Sequence, residues 1–295
     1  MPKIYIKLIL TMIFWGGTFI SGRMLAGHVP PFIAAFLRFA TAATILLIVL
    51  YRRNGRLPTV PRRLLLPIIC LSLTGVFSYN VFFFWGLQSV TASRASVIIA
   101  NNPVFIAVFA SLIFRERLGL IKSLGVPISV IGAVIAISKG DVAGLWSGGL
   151  GWGDLMIFGC VISWVAFSLI GKAVIDHIPP LTAISYASTL GALLLLLPAI
   201  MDGLFGTLGK YTFLDWGNIA FLGIFGTAIG FVWYYEGIEH IGATRAGLFI
   251  NLVPISAIII AFLLLGEPIR GSLLIGTVLV LFGVYLTNNG LPHLH

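Results

Sequence analysis

Arg38 is the one charged residue that the hydropathy pattern places inside a long apolar run. A cation in hydrocarbon costs at least about 2.5 kcal/mol on insertion scales, so such a residue faces a partner or a wet cavity. Two roles are open to it. It can meet an anionic group of a solute, such as a carboxylate, or it can be structural, snorkelling or bonding helix-end carbonyls. Other apolar runs carry aromatics with a polar tip: Trp15, Tyr79, Trp164, Tyr186, Trp233 and Tyr234. Each offers a ring to an apolar solute and one N–H or O–H to a polar group. Asn80, Asn101 and Asn251 lie in similar runs. A bare amide in lipid is costly, so these are expected to line a pathway or to hydrogen-bond a neighbouring helix. Pro103 and Pro254 each remove one backbone donor and should kink the helix that holds them. These twelve residues are the expected substrate cavity and its hinges.

Chemistry of other kinds is missing. All nine acids, Glu116, Glu236 and Glu267 among them, fall in loops or at the ends of apolar runs, as do all five histidines. No Ser/His/Asp group, acid pair or metal-ligand cluster forms at one membrane face, so neither catalysis, a metal nor a cofactor is expected. Proton-coupled carriers keep an acid or histidine within the membrane. Its absence here favours a carrier driven by the gradient of its own solute. Glu236 is the acid closest to overturning this, since a shift of one helical turn would bury it. Cys70 and Cys160 lie in apolar segments and read as buried free thiols.

The elements that must position these residues are membrane helices. The chain of 295 residues is 59% hydrophobic and 9% charged, too little polar surface to cover a water-soluble globule of this size. Ten runs have the length and apolarity of spanning helices: 4–22, 32–51, 64–86, 92–114, 120–138, 154–172, 181–201, 215–236, 243–266 and 272–288. A glycine-rich stretch, 140–153, separates two sets of five. The first run lacks a cleavage site after it and reads as a retained helix rather than a signal peptide. With the N-terminus inside, twelve of the 18 Lys and Arg fall on the inner side and five on the outer side. The bias puts both termini in the cytoplasm of a bacterial inner membrane. It also explains the net charge of +9 without any nucleic-acid partner.

The two sets repeat one another. At an offset of 151, Gly86 pairs with Gly237, Arg94-Ala95 with Arg245-Ala246, Pro103 with Pro254, Glu116 with Glu267, Gly125 with Gly276 and Gly132 with Gly283. Nearer each start the offset is 149, pairing Trp15 with Trp164 and His28-Val29-Pro30-Pro31 with His177-Ile178-Pro179-Pro180. Residues 1–145 and 146–295 are thus expected to be two homologous halves. Five crossings per half turn the second upside down relative to the first. Such inverted repeats let a carrier exchange inward-open and outward-open states around a mid-membrane site.

The motifs that carry a family resemblance are Phe14-Trp15-Gly16-Gly17-Thr18-Phe19, Phe36-Leu37-Arg38-Phe39, Ala92-Ser93-Arg94-Ala95-Ser96, Pro103-Val104-Phe105 and Arg115-Glu116-Arg117-Leu118. The second copy holds Ala243-Thr244-Arg245-Ala246, Pro254 and Gly266-Glu267-Pro268. Together they resemble the EamA-type domain, present twice, of the drug/metabolite transporter superfamily. Length and aromatic content are similar to bacterial amino-acid and metabolite exporters of the YddG type. The resemblance implies ten helices around a central cavity, a lipid bilayer and a small-molecule solute as partners, and a monomer that exports aromatic or other neutral amino acids. Export of drugs or other metabolites, with or without protons, is the alternative. Small multidrug relatives carry a glutamate in the first helix where this chain has Trp15-Gly16, so their coupling residue does not transfer.

Overall fold

The computed structural model describes residues 2–114, 119–138 and 151–288. Glu116, Asp141, residues 140–150 of the glycine-rich stretch, His293 and His295 lie outside them. Among the described residues there is no strand. The helices are α1 (Pro2–Leu25), α2 (Pro31–Asn54), α3 (Arg62–Leu87), α4 in two pieces (Ala92–Ile99 and Asn102–Phe114) and α5 (Leu120–Ser138). They continue with α6 (Trp152–Ile175), α7 (Pro180–Met201), α8 (Phe213–Ile241), α9 in two pieces (Ala243–Phe249 and Leu252–Leu265) and α10 (Gly271–Asn288). Nine of these spans are long and apolar enough to cross a bilayer, and the tenth offers the shorter apolar stretch Gly271–Thr287. The face from which α1 starts is called the N-face below, and the other the far face.

Local sequence explains the ends. In both repeated His-x-Pro-Pro motifs the first proline is extended, at φ −54° and ψ 140° for Pro30 and φ −56° and ψ 140° for Pro179. The second proline then opens the helix, where its missing N–H costs nothing. α2 stops at Gly55 and α9 at Gly266, both left-handed at φ 69° and φ 65°. Thr212 and Asp215 cap α8 reciprocally.

The outer surface is apolar, as lipid requires: Leu112, Ile162, Leu193, Leu263 and Val278 are all exposed. Trp152 and Phe213 stand exposed where α6 and α8 begin at the far face, as interfacial anchors do.

The halves interlock through contacts that the repeat predicts in pairs. The Cα of Gly132 lies against the Gly276 carbonyl and that of Gly125 against the Gly283 carbonyl. Exchanging each residue for its repeat mate turns one contact into the other, so a pseudo-two-fold axis passes between antiparallel α5 and α10. The same operation relates Gly86 against Ile157 to Gly237 against Leu8, and Gly75 against Phe167 to Gly226 against Thr18. Consequently α3 packs on α6, and α8 on α1, across the seam between the halves. Small residues permit this closeness, and van der Waals packing rewards it in lipid.

Two distortions recur by the same symmetry. α3 carries a π-helical segment at Ser72–Ser78 and α8 another at Ile224–Ile229. Each contains the glycine, Gly75 or Gly226, that meets the neighbouring helix. π-turns cluster at functional sites because they free carbonyls and re-aim side chains.

Candidate functional site

α4 and α9 break at equivalent points, Ala100–Asn101 and Ile250–Asn251, just before Pro103 and Pro254. At the break in α4 the Asn101 N–H turns to the Ile98 carbonyl at 3.2 Å, which leaves the Val97 carbonyl without its helical donor. Asn101 meets this need by donating Nδ2 to the carbonyls of Val97 at 3.1 Å and Ile98 at 3.3 Å. Its Oδ1 accepts from Ser129 Oγ at 2.6 Å, and Ser129 also approaches the Val280 carbonyl. Asn101 thus fastens the break in α4 to the α5–α10 pair. Asn251 is half-buried at the matching break.

Arg38 is 8% exposed, in α2, at the seam. Its Nε donates to Thr227 Oγ1 of α8 at 3.1 Å and its Nη1 to Asn80 Oδ1 of α3 at 2.9 Å. Both acceptors are oriented by the π-segments. Asn80 Nδ2 donates to the Val76 carbonyl at 2.8 Å, and Thr227 Oγ1 donates to the Leu222 carbonyl at 2.9 Å. Sequence reasoning missed Thr227, since one threonine in an apolar run carries no signal until the fold aims it. The Tyr79 hydroxyl is within electrostatic reach of the guanidinium. The Phe39 ring centre lies 5.4 Å from its central carbon. No ion pair joins Arg38 to a carboxylate among the described residues.

Two aromatic groups cross the seam. Tyr79 and Trp164 meet at 5.5 Å between ring centres, across the α3–α6 contact. Trp15 meets Tyr234 at 5.2 Å and Phe231 at 5.8 Å, across the α1–α8 contact. The repeat maps Tyr79 onto Gly230, and Trp15 Nε1 indeed closes on the Gly230 backbone. Trp15 and Trp164 are therefore equivalent in place but differ in company. Trp233 and Tyr186 stand outside this group. Trp233 packs on Phe14 and receives the Lys7 ammonium 5.8 Å from its ring. Tyr186 donates its hydroxyl to the Pro58 carbonyl at 2.6 Å, beside an N-face cavity of about 530 Å³.

Polar clasps close both faces. At the N-face, Glu236 accepts from Lys7 at 2.7 Å and from Arg53 at 2.6 Å, joining α8 to α1 and α2. α8 runs to Ile241, beyond the end at 236 that hydropathy alone suggests, so Glu236 lies inside the helix rather than at its end. At the far face, Arg94 of α4 pairs with Asp154 of α6 at 2.7 Å. Glu267 caps the start of α4, accepting from the backbone of Ala92 and Ser93 and from Ser93 Oγ. Arg23 donates to the Leu87 carbonyl. Beside these a far-face cavity of about 640 Å³ is lined by Met24, His28, Tyr211, Asp215 and Asn218.

Ten apolar helices, in two interlocked halves of opposite sense with a buried cation and aromatics at the seam, make a membrane transporter of the inverted-repeat kind. The chain belongs to the EamA-like transporter family, whose sequence pattern matches residues 2–138 and again residues 151–289. It is 32% identical to the uncharacterized transporter YyaM of Bacillus subtilis over 98% of this chain and 94% of that one. It is 30% identical to a probable terminal-alkyne amino-acid exporter of Streptantibioticus cattleyicolor, over 77% of this chain and 75% of the other. A crystal structure with 19% identity shares the fold, at a TM-score of 0.68 over 97% of both chains.

Proposed function

We propose that this protein exports small amphipathic metabolites, with aromatic or other neutral amino acids as the main class, from a bacterial cytoplasm across the inner membrane. The carrying observation is that the Arg38–Asn80–Thr227 contact and the Tyr79–Trp164 and Trp15–Tyr234 ring pairs all cross the seam between the halves. Such a seam is where exchange of the two half-conformations switches access from one face to the other. The amino-acid exporter among the relatives supports the solute class. The charge bias supports cytoplasmic termini, which makes the N-face the cytoplasmic one. The carrier acts as a monomer, since both halves of the site come from one chain.

Transport is driven by the solute gradient. Glu236, inside α8 near its N-face end, is held by two cations rather than facing Arg38. Flux of radiolabelled L-phenylalanine into proteoliposomes should proceed with or without a pH gradient. The variant Glu236→Gln should keep most of that flux and, because Lys7 and Arg53 are 36% and 42% exposed, lose no more than about 1 kcal/mol of stability. Flux that requires a proton gradient and vanishes in Glu236→Gln would instead establish the proton-coupled drug or metabolite exporter.

The variants Trp15→Ala and Trp164→Ala should each lower flux about tenfold, the worth of one lost aromatic contact, at normal levels of folded protein. Unchanged flux in both would remove the aromatic group from the solute path.

A further inference from the structure

Arg38 has no counterpart in the other half. The residues at the repeat-equivalent positions of Arg38, Asn80 and Thr227 are Ala187, Phe231 and Val76. Ala187 and Val76 are fully buried, and all three are apolar. A purely architectural tie between crossing helices should be useful in both halves, because the helices that it joins are duplicated. This one is built once, on one side of the pseudo-two-fold axis.

Its chemistry is also incomplete. Taking a guanidinium out of water is repaid only when its charge is paired and its donors are satisfied. Arg38 meets two neutral oxygens through Nε and Nη1. Among the described residues, no hydrogen bond reaches Nη2 and no carboxylate pairs with the cation. Both neutral partners are themselves tied to backbone carbonyls, Asn80 to Val76 within one π-segment and Thr227 to Leu222 just before the other, so they fix the plane of the guanidinium without neutralising it. A planar cation held edge-on, with its second nitrogen unclaimed, matches a carboxylate.

We infer that Arg38 is the seat for the solute's carboxylate, positioned by Asn80 and Thr227, so that a free carboxylate is required for transport. The inference rests on the export reading above and narrows it to solutes bearing that group. The apolar remainder of the solute lies against the Tyr79–Trp164 and Trp15–Tyr234 rings. Asn80 and Thr227 are positioning residues, acting through Arg38.

The test compares four probes in proteoliposomes: L-phenylalanine, L-phenylalanine amide, phenethylamine and 3-phenylpropionate. The wild type should move L-phenylalanine at least about tenfold faster than the amide or the amine, and 3-phenylpropionate should compete. Arg38→Gln should bring L-phenylalanine down to the rate of the amide. Asn80→Asp supplies an internal carboxylate to the same guanidinium. It should cut L-phenylalanine flux at least about tenfold while leaving melting temperature unchanged or raised, because the seat is then occupied from within. A merely structural Arg38 would accept the new aspartate without loss of flux. Wild-type flux in Asn80→Asp therefore overturns the seat, as does wild-type protein that carries phenethylamine as fast as L-phenylalanine, and in either case the export reading survives. If none of the four probes moves, the amino-acid reading and the seat fall together.

Discussion

Arg94→Ala should destabilise the protein by about 3–5 kcal/mol, the cost of leaving one member of a buried ion pair alone. Arg94 and Asp154 have side chains 16% and 4% exposed, so water cannot take over the lost contact. Asp154 Oδ2 also accepts from the Gly151 backbone, so the carboxylate holds the start of α6 as well as Arg94. Removing the cation strands a charge that must stay where the helix end keeps it. The pair is met by only one nitrogen and one oxygen. Arg94 Nε and Asp154 Oδ1 are buried without any hydrogen bond. The double variant Arg94→Gln with Asp154→Asn should therefore recover much of the loss, since two amides can share the space without an unpaired charge. Thermal melts in detergent of Arg94→Gln, Asp154→Asn and the double variant give the coupling directly. Additive losses would show that the pair is not an interacting unit. This clasp holds the first piece of α4, which reaches inward to the break at Ala100–Asn101. Loosening it frees the far-face end of a helix already hinged in the membrane.

Gly132→Val should lower the apparent melting temperature by several degrees, and Gly276→Val by a similar amount. A Cβ at Gly132 would stand 2.7 Å from the Gly276 carbonyl oxygen and from the Val280 nitrogen, and one at Gly276 would stand 2.5 Å from the Gly132 carbonyl. The obstacles are backbone atoms, which cannot swing aside as a side chain could. The whole α5–α10 contact must open, at a cost of about 1–3 kcal/mol or more. Gly217→Ala is the control. It is helical and exposed, with nothing within 4 Å of its added Cβ, so it should be neutral or gain up to about 1 kcal/mol from helix propensity. Equal tolerance of all three substitutions would sink the claim that α5 and α10 meet backbone to backbone.

The glycines that make these contacts were visible in the sequence as recurring spacings, and so was their pairing, because an inverted repeat dictates that a contact between two positions is echoed by their mates. Helix number, the break before each proline and the opposed sense of the halves follow from the same spacings and from hydropathy. Side-chain partners do not. Asn101 reads as equally fit for a pathway or a helix contact until Ser129 is found opposite it. Thr227 is silent because its value lies in the π-segment that turns it toward Arg38, and a π-segment adds a residue without altering hydropathy. Glu236 was misplaced for a simpler reason: Tyr234, Tyr235 and His240 lower the hydropathy of the last two turns of α8, so the helix continues past the apparent edge of the apolar run.

The crossed packing of the halves has a consequence for biogenesis. α1 is made long before α8, yet the surfaces that fit Leu8 and Thr18 belong to α8. α3 likewise waits for α6 before Gly75 and Gly86 find the side chains that fill their grooves. A nascent chain halted after α5 would hold five apolar helices whose best-fitting faces still look into lipid. Maturation is therefore governed by contacts far apart in sequence, the slow kind to form. The newborn first half has to be kept from wrong partners until the second has threaded in the opposite sense.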